Sequence, residues 1–165
     1  MVGFSLFINE SGEIMIYNKS ITATVYIIND GKLLLHKHKK YKTWFPVGGH
    51  LEPDELPHEA AIREAKEETG LNITLVETEN VPNFDIGRVD RLPAPFCLYH
   101  EGDIEEQFLD FIYIGETTQT EFSPMISESK ELRWFSIEEL ESGNIKVHVK
   151  NTAATVLNYI KSNRG

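Results

Sequence analysis

The chain has 165 residues, of which 41% are hydrophobic and 25% are charged, values that are ordinary for one globular domain with its own core. Its formal net charge of −10 argues against a nucleic-acid polymer as partner, because binding to a phosphate backbone relies on a basic surface. There is no apolar run near the ~20 residues of a membrane helix and no signal-like N-terminus, and the single cysteine, Cys97, cannot form an internal disulfide. We therefore expect a cytoplasmic protein with no membrane partner and with Cys97 in a buried structural role.

The first predicted elements are β-strands joined by short turns. Residues 4–8 and 13–17 flank the turn-rich stretch Asn-Glu-Ser-Gly and predict a hairpin. Residues 22–28 and 32–36 flank Asn-Asp-Gly, which is a tight-turn signal. We interpret the chain, residues 1–165, as a single domain whose core is formed by residues 20–165. The hairpin within residues 1–19 is then an addition, which extends a sheet edge, supports a homodimer or is a plain surface hairpin.

A short apolar segment, residues 44–47, stops at Gly48 and Gly49. Glycine allows the backbone to take a positive φ or to approach a ligand closely. A helix is predicted to follow, with Pro57 in its first turn and Gly70 as its C-terminal stop.

The predicted N-cap of this helix is Leu56, whose side chain cannot accept a hydrogen bond from the helix backbone. We therefore expect Asp54 or Glu55 to satisfy the open helix end instead.

Three glutamates of this helix, Glu64, Glu67 and Glu68, are spaced at i, i+3 and i+4 and share one helical face. Like charges at i,i+4 cost roughly 0.2–0.5 kcal/mol, and a divalent cation would offset this repulsion. Acidic residues at helical spacing are usually a solvated surface, but a surface helix needs neither the two glycines nor an arginine among its carboxylates. Arg63 is placed to hold Glu67, and Glu55 can reach it from the loop.

Further strands are predicted at residues 73–77, 96–100, 107–115 and 132–135. Ser136 and Glu139 form a capping box that opens a short helix. A last amphipathic helix has apolar residues at i, i+3, i+4 and i+7, namely Ala153, Val156, Leu157 and Ile160. This order of elements predicts an α+β fold in which a mixed sheet lies between helical layers.

The segment from Gly49 to Leu71 resembles the signature of the Nudix hydrolases. All the fixed positions of that pattern are filled without an insertion; Ala65 is a small residue where the pattern prefers a larger aliphatic one. The matching residues are Gly49, Glu55, Arg63, Glu64, Glu67, Glu68, Gly70 and Leu71. The resemblance implies an α/β/α sandwich and a metal-dependent hydrolase that cleaves the pyrophosphate bond of a nucleoside diphosphate linked to another moiety.

By position, the resemblance implies that Glu64, Glu67, Glu68 and the backbone carbonyl of Gly48 bind Mg²⁺, with Mn²⁺ as a possible substitute. It also implies that Glu64 or Glu67 orients or deprotonates the attacking water while Arg63 holds the carboxylates. The family often adds a carboxylate from a loop before a strand that carries tryptophan, and Glu128 is the choice here for catalysis and metal binding. Its competitors are Glu105, Glu106 and Glu131.

Substrate identity is not predicted by the signature. The irregular segment 82–95 is our candidate for the specificity element, and His50 or the lysines of residues 37–42 could contact phosphates or simply face solvent. Several aromatic residues could stack on a base, although aromatic side chains near strands pack more often in the core; these are Trp44, Phe84, Phe96, Tyr99 and Phe108.

Two alternatives belong to other functional classes. A catalytically weak nucleotide-binding or regulatory module would keep the fold, but all the signature carboxylates are present. A diphosphate isomerase would need a positioned cysteine, and Cys97 lies in an apolar run.

Overall fold

The computed structural model describes residues 2–8, 12, 14–79, 90–102, 106–125 and 131–163, with only the backbone described for residues 2–8 and 14–19. Within these ranges the chain forms nine strands and three helices. The strands are β1 Val2–Ile8, β2 Ile14–Asn29, β3 Lys32–Lys37, β4 Trp44–Phe45, β5 Val47–His50, β6 Thr74–Leu75, β7 Cys97–Gly102, β8 Glu106–Glu116 and β9 Glu131–Phe135. The helices are α1 Pro57–Thr69, α2 Ile137–Ser142 and α3 Val147–Asn163. None of these helices combines the length and the apolar character that a membrane span requires.

The strands form one mixed sheet, as the sequence predicts, and β2 lies at its centre. β2 pairs antiparallel with β1, β3 and β5, and parallel with β8 over eleven residues, from Asn18 with Glu106 to Ile28 with Glu116. The β1–β2 pairing is the predicted hairpin, but β2 continues through Ser20 without a break. The boundary that we placed at residue 20 therefore does not coincide with a strand end, and the division into hairpin and core stays a prediction.

Alternate residues of the central strands supply two separate cores, one on each face of the sheet. Val25 and Ile27 of β2 pack with the alanines of α1, whereas Tyr26 and Ile28 pack with α3. Because successive side chains of a strand point to opposite faces, this alternation covers both faces with helices. The predicted α/β/α layering is thereby confirmed.

Two helix starts were predicted with different success. The capping box of α2 is present, since Ser136 N donates to Glu139 Oε2 and Glu139 N donates to Ser136 Oγ. At α1, Glu59 is the residue that serves the end, because Leu56 N donates to Glu59 Oε2 at 2.9 Å. Our expectation of Asp54 or Glu55 was wrong because Glu59, three residues beyond the cap, reaches back to Leu56 N, while the Glu55 carboxylate binds Glu52 N and Arg63.

Candidate active site

Gly48 and Gly49 lie inside strand β5 and pair with Thr24 and Ala23 of β2. Neither glycine has a positive φ, so close approach and not backbone strain explains them. A Cβ atom on Gly48 would lie 2.5 Å from Ala23 O and 2.8 Å from Thr24 Cα. A Cβ atom on Gly49 would lie 2.6 Å from Cδ of Glu64. The carboxylate of Glu64 therefore lies directly against the Gly49 backbone.

Arg63 connects the loop before α1 with the glutamates of the helix. Its guanidinium donates two hydrogen bonds to Glu55, at 2.8 and 3.0 Å, and one each to Glu64 at 2.8 Å and Glu67 at 3.2 Å. A further bond of 3.0 Å goes to the carbonyl of His50 at the end of β5. The predicted contacts of Arg63 with Glu67 and Glu55 are confirmed, and Glu64 joins them.

The electrostatics of this cluster are set by hydrogen bonds to charged partners. The hydrogen bonds from Arg63 lower the pKa of Glu55, and the same bonds raise the pKa of Arg63. The side chains of Arg63 and Glu55 are only 21% and 12% exposed, so solvent screens this pair less than an open surface pair. Arg63 therefore holds its neighbours as a permanent cation.

The three predicted helical ligands do not have the same surroundings. Glu64 and Glu67 both bind Arg63, whereas Glu68 is 6% exposed, like Ala61 and Ala65 on the buried side of α1. In the part of the chain that the structure describes, no three His, Cys, Asp or Glu side chains stand together as a cation site. The helix thus brings Glu64 and Glu67 together through Arg63 and places Glu68 toward the sheet.

The candidates for the additional carboxylate are described only in part. Glu128 and Glu105 lie outside the described residues, so the choice of Glu128 stays a prediction. Glu131 is on β9 and binds Lys37 at 3.0 Å in an exposed pair, and Glu106 is exposed at the start of β8. Glu131 is therefore already paired with a lysine.

The chain segment before Glu128 is joined to the end of α1. Met125 N donates to Glu67 O at 2.8 Å, and Ser123 N donates to Thr69 O at 2.9 Å. Gly70 ends the helix with a φ of 78°, as the sequence predicts. The described chain therefore passes beside Glu67 three residues before Glu128.

A cavity of about 360 Å³ lies on the α3 side of the sheet and reaches Gly48, Gly49 and His50. Asp110 of β8 lies in it and accepts hydrogen bonds from Thr22 Oγ1 at 3.0 Å and Thr24 Oγ1 at 2.8 Å. Burial raises the pKa of Asp110, partly countered by these hydroxyls. Sequence reasoning missed Asp110. The signal was available, because Asp110 is the one carboxylate inside the otherwise apolar run of residues 108–114.

The aromatic candidates divide between the core and the cavity. Trp44 and Phe96 pack against the α3-side core, as their location near strands predicts. Tyr99 packs there too, and it also lines the cavity, where its hydroxyl lies 2.6 Å from Thr152 Oγ1. Phe108 lines the cavity with its ring centroid 5.9 Å from that of His50. Phe84 and most of the proposed specificity segment lie outside the described residues.

The remaining sequence candidates have structural contacts. Cys97 is half-buried against the core, and this burial raises the pKa of its thiol, which suits a structural role more than a nucleophilic one. Lys37 lies over the ring of Trp44, and Lys40 lies over the ring of Tyr41. These two lysines therefore contact neighbouring aromatic rings.

Comparison with known proteins agrees with this geometry. The model of the NUDIX domain matches residues 18–156, which include most of β2, the strands β3 to β9, α1 and the cavity. The chain belongs to the Nudix family. A Nudix-family hydrolase from Clostridium perfringens, known from a crystal structure, is 40% identical in sequence to this chain. The match covers 86% of this chain and 97% of the Clostridium chain, and the two structures superpose with a TM-score of 0.78.

Two proteins of Bacillus subtilis are also similar to this Nudix chain. The uncharacterised Nudix hydrolase YvcI is 27% identical over 130 residues, or 78% of this chain and 72% of the relative. A putative 8-oxo-dGTP diphosphatase is 43% identical over 54 residues, which cover 32% of this chain and 36% of the relative. The protein is therefore a Nudix hydrolase, an enzyme of a family that hydrolyses pyrophosphate bonds in nucleoside diphosphate derivatives and generally uses divalent metal ions.

Proposed function

We propose that this protein is a Mg²⁺-dependent pyrophosphohydrolase of a small nucleoside diphosphate derivative, with Mn²⁺ as a substitute ion. The observation that carries the proposal is the position of Gly49, which touches the Glu64 carboxylate and also borders the cavity. A diphosphate at Gly49 would lie beside the acidic cluster while the group attached to it enters the cavity.

The residues present suit a hard divalent cation. Every donor in the proposed set is an oxygen atom, which Mg²⁺ and Mn²⁺ prefer. The missing side chain at Gly49 leaves the β5 backbone accessible from α1, where Glu64 already reaches it. The proposed ligands are the Gly48 carbonyl, Glu64, Glu67, Glu68 and Glu128. A bound cation supplies positive charge that offsets the charge of the diphosphate oxygens.

The proposed catalytic roles follow from the contacts of α1. Arg63 positions Glu64 and Glu67 by hydrogen bonds that also join the helix to Glu55 and to the His50 carbonyl. In this proposal either Glu64 or Glu67 accepts the proton of the attacking water; Glu64 lies against Gly49 of β5, and Glu67 shares Arg63 with it. Glu128 is proposed as the further carboxylate because the chain beside Glu67 continues into its segment.

The test is a substrate panel with Mg²⁺ or Mn²⁺, scored for phosphate-containing products. The panel holds nucleoside diphosphate sugars, dinucleoside polyphosphates, and ordinary and oxidised nucleoside triphosphates. We expect turnover of at least one class, its loss with a chelator, and its return on adding the ion back. Binding without turnover of any class would instead support a nucleotide-binding module.

The Glu67→Gln variant connects this activity to the helix. We expect kcat to fall at least ~10²-fold with an unchanged circular dichroism spectrum, because one charged group of the cluster is lost. Glu59→Gln is the matched control on the same helix, since glutamine at this position can still bind Leu56 N. An unchanged rate in Glu67→Gln would contradict the assignment.

A cytoplasmic location and a homodimer remain predictions of the same proposal. The half-buried Cys97 suits a reducing compartment. Sedimentation equilibrium of the full chain measures the oligomeric state.

A further inference from the structure

Asp110 is a carboxylate at an unusual place, in the middle of a strand that is apolar around it. On the same face of β8, its neighbours two residues away are Phe108 and Ile112, which line the same cavity. Burying a carboxylate disfavours its charged form, and the pKa of Asp110 is raised for that reason. Arg63 and its partners lie on the α1 side and do not include Asp110. The cluster around Arg63 therefore does not account for this carboxylate.

The hydrogen bonds of Asp110 leave it with accepting capacity. Thr22 donates to Oδ1 and Thr24 donates to Oδ2, one hydroxyl for each oxygen. A carboxylate has about four acceptor sites and can receive two parallel donors side by side. The two threonines thus fix the plane of the carboxylate, and one acceptor site on each oxygen is available to a ligand.

The other walls of the cavity favour a flat ring. Phe108 and Tyr99 lie on the strands around Asp110, and the ring of His50 contacts that of Phe108 at its edge. Aromatic walls bind planar groups by stacking and by edge contacts. A ligand that satisfies both features is a planar heterocycle with two adjacent N–H donors.

The sheet register sets the distance between Asp110, where the heterocycle would bind, and the acidic cluster beside β5. Thr22 is paired with His50 on one side and with Asp110 on the other. With adjacent strands ~4.8 Å apart, the Asp110 backbone lies about 10 Å from the end of β5. That span suits a nucleoside whose diphosphate is at Gly49 and whose base is at Asp110.

We propose that Asp110 is the specificity-determining residue of the cavity and that it binds the N1–H and N2–H₂ edge of a guanine base. Guanine is the common nucleobase with two adjacent donors on that edge, whereas the others present one donor beside an acceptor. The inference rests on the proposed function, in that it names the nucleotide class on which the same site acts.

The test measures binding apart from hydrolysis. Titration calorimetry with a chelator present gives Kd values for GMP, for IMP, which lacks the 2-amino group, and for 1-methyl-GMP, which lacks the N1 proton. We expect the wild-type protein to bind GMP about 10-fold or more tightly than either analogue, because each analogue loses a hydrogen bond to a charged group. Equal affinities would overturn the proposal without any variant.

The Asp110→Asn variant assigns the discrimination to this side chain. We expect GMP and IMP to bind it with Kd values within about 2-fold of each other. Glu116→Gln removes a carboxylate from the same strand outside the cavity and should keep the wild-type ratio. A persistent GMP preference in Asp110→Asn would overturn the assignment.

Two further outcomes separate the possible failures. A loss of affinity for dGMP relative to GMP, with no loss for IMP, would mean that the carboxylate binds the ribose, and the proposal would fall. If only substrates without guanine are hydrolysed and GMP is not preferred, the hydrolase assignment stands and the guanine inference fails. If GMP is preferred through Asp110 but no substrate turns over, the guanine inference stands and the hydrolase assignment fails.

Discussion

Replacing Gly49 with alanine tests whether the contact between β5 and Glu64 matters for catalysis. The added Cβ would lie 2.6 Å from Cδ of Glu64, where an ordinary contact begins at 3.4 Å. The atom that must move is the end of a flexible side chain, so the carboxylate retreats by about 1 Å while the backbone stays in place. A displacement of that size in an active site can lower the rate by about 10²-fold.

Gly48→Ala is the contrasting variant on the neighbouring residue. Its Cβ would meet Ala23 O at 2.5 Å and Thr24 Cα at 2.8 Å, both of which are backbone atoms of β2. Because β2 is hydrogen-bonded to its neighbouring strands, moving its backbone aside costs free energy, and we expect the main effect of this variant to be a loss of stability. We expect Gly49→Ala to keep its melting temperature and lose activity, and Gly48→Ala to melt earlier.

The assay is kcat for the best substrate of the panel at saturating Mg²⁺, together with thermal unfolding followed by circular dichroism. A Gly49→Ala enzyme within about 3-fold of the wild-type kcat would refute the reasoning, because the carboxylate would then tolerate the ~1 Å shift that the structure demands. A large loss of stability in that variant would also refute it, since only a side-chain end was to move.

The remaining predictions concern stability. Arg63→Met should lower the free energy of unfolding by about 2 kcal/mol at pH 7. The lowered pKa of Glu55 means that this difference is present above the ordinary carboxyl pKa and shrinks as the pH falls through the lowered value, which denaturation at several pH values measures. For Asp110 the sign is opposite, because its pKa is raised. We expect the wild type to lose stability relative to Asp110→Asn as the pH rises through the raised value. The same difference in unfolding free energy between the two proteins at acid and at neutral pH would contradict this. Gly70→Ala should cost at least ~1 kcal/mol by denaturant titration, because its φ is 78° and a Cβ would meet the backbone of Ser123; an unchanged midpoint would contradict that.

What the sequence predicted well depends on local spacing. The contact of Arg63 with Glu67 follows from an i,i+4 separation on one helix, and the stop at Gly70 follows from the left-handed conformation that glycine adopts at low cost. The capping box of Ser136 and Glu139 is equally local. Such features need no knowledge of the fold.

The cavity was not predictable in the same way because its parts are distant in sequence. Asp110 accepts from Thr22 and Thr24, 88 and 86 residues away, and this depends on the parallel pairing of β2 with β8. Nothing in the spacing of one strand fixes which strand lies beside it. The wrong prediction for the start of α1 is different, because Glu59 is the third residue after Leu56 and its role can be inferred from that local spacing alone.

The register of β5 explains why two consecutive glycines are needed at this site. Gly49 pairs with Ala23, whose side chain is in the α1-side core, and Gly48 pairs with Thr24, whose hydroxyl binds Asp110 on the cavity side. Successive residues of a strand face opposite sides, so Gly49 leaves room for the Glu64 carboxylate on the α1 side, whereas Gly48 lets β5 lie close against Ala23 and Thr24 of β2. A ligand whose charged end meets α1 and whose ring meets Asp110 must cross the sheet edge at this point. A side chain at Gly49 would displace the Glu64 carboxylate, whereas a side chain at Gly48 would disturb the pairing of β5 with β2 that holds the two parts of the site together.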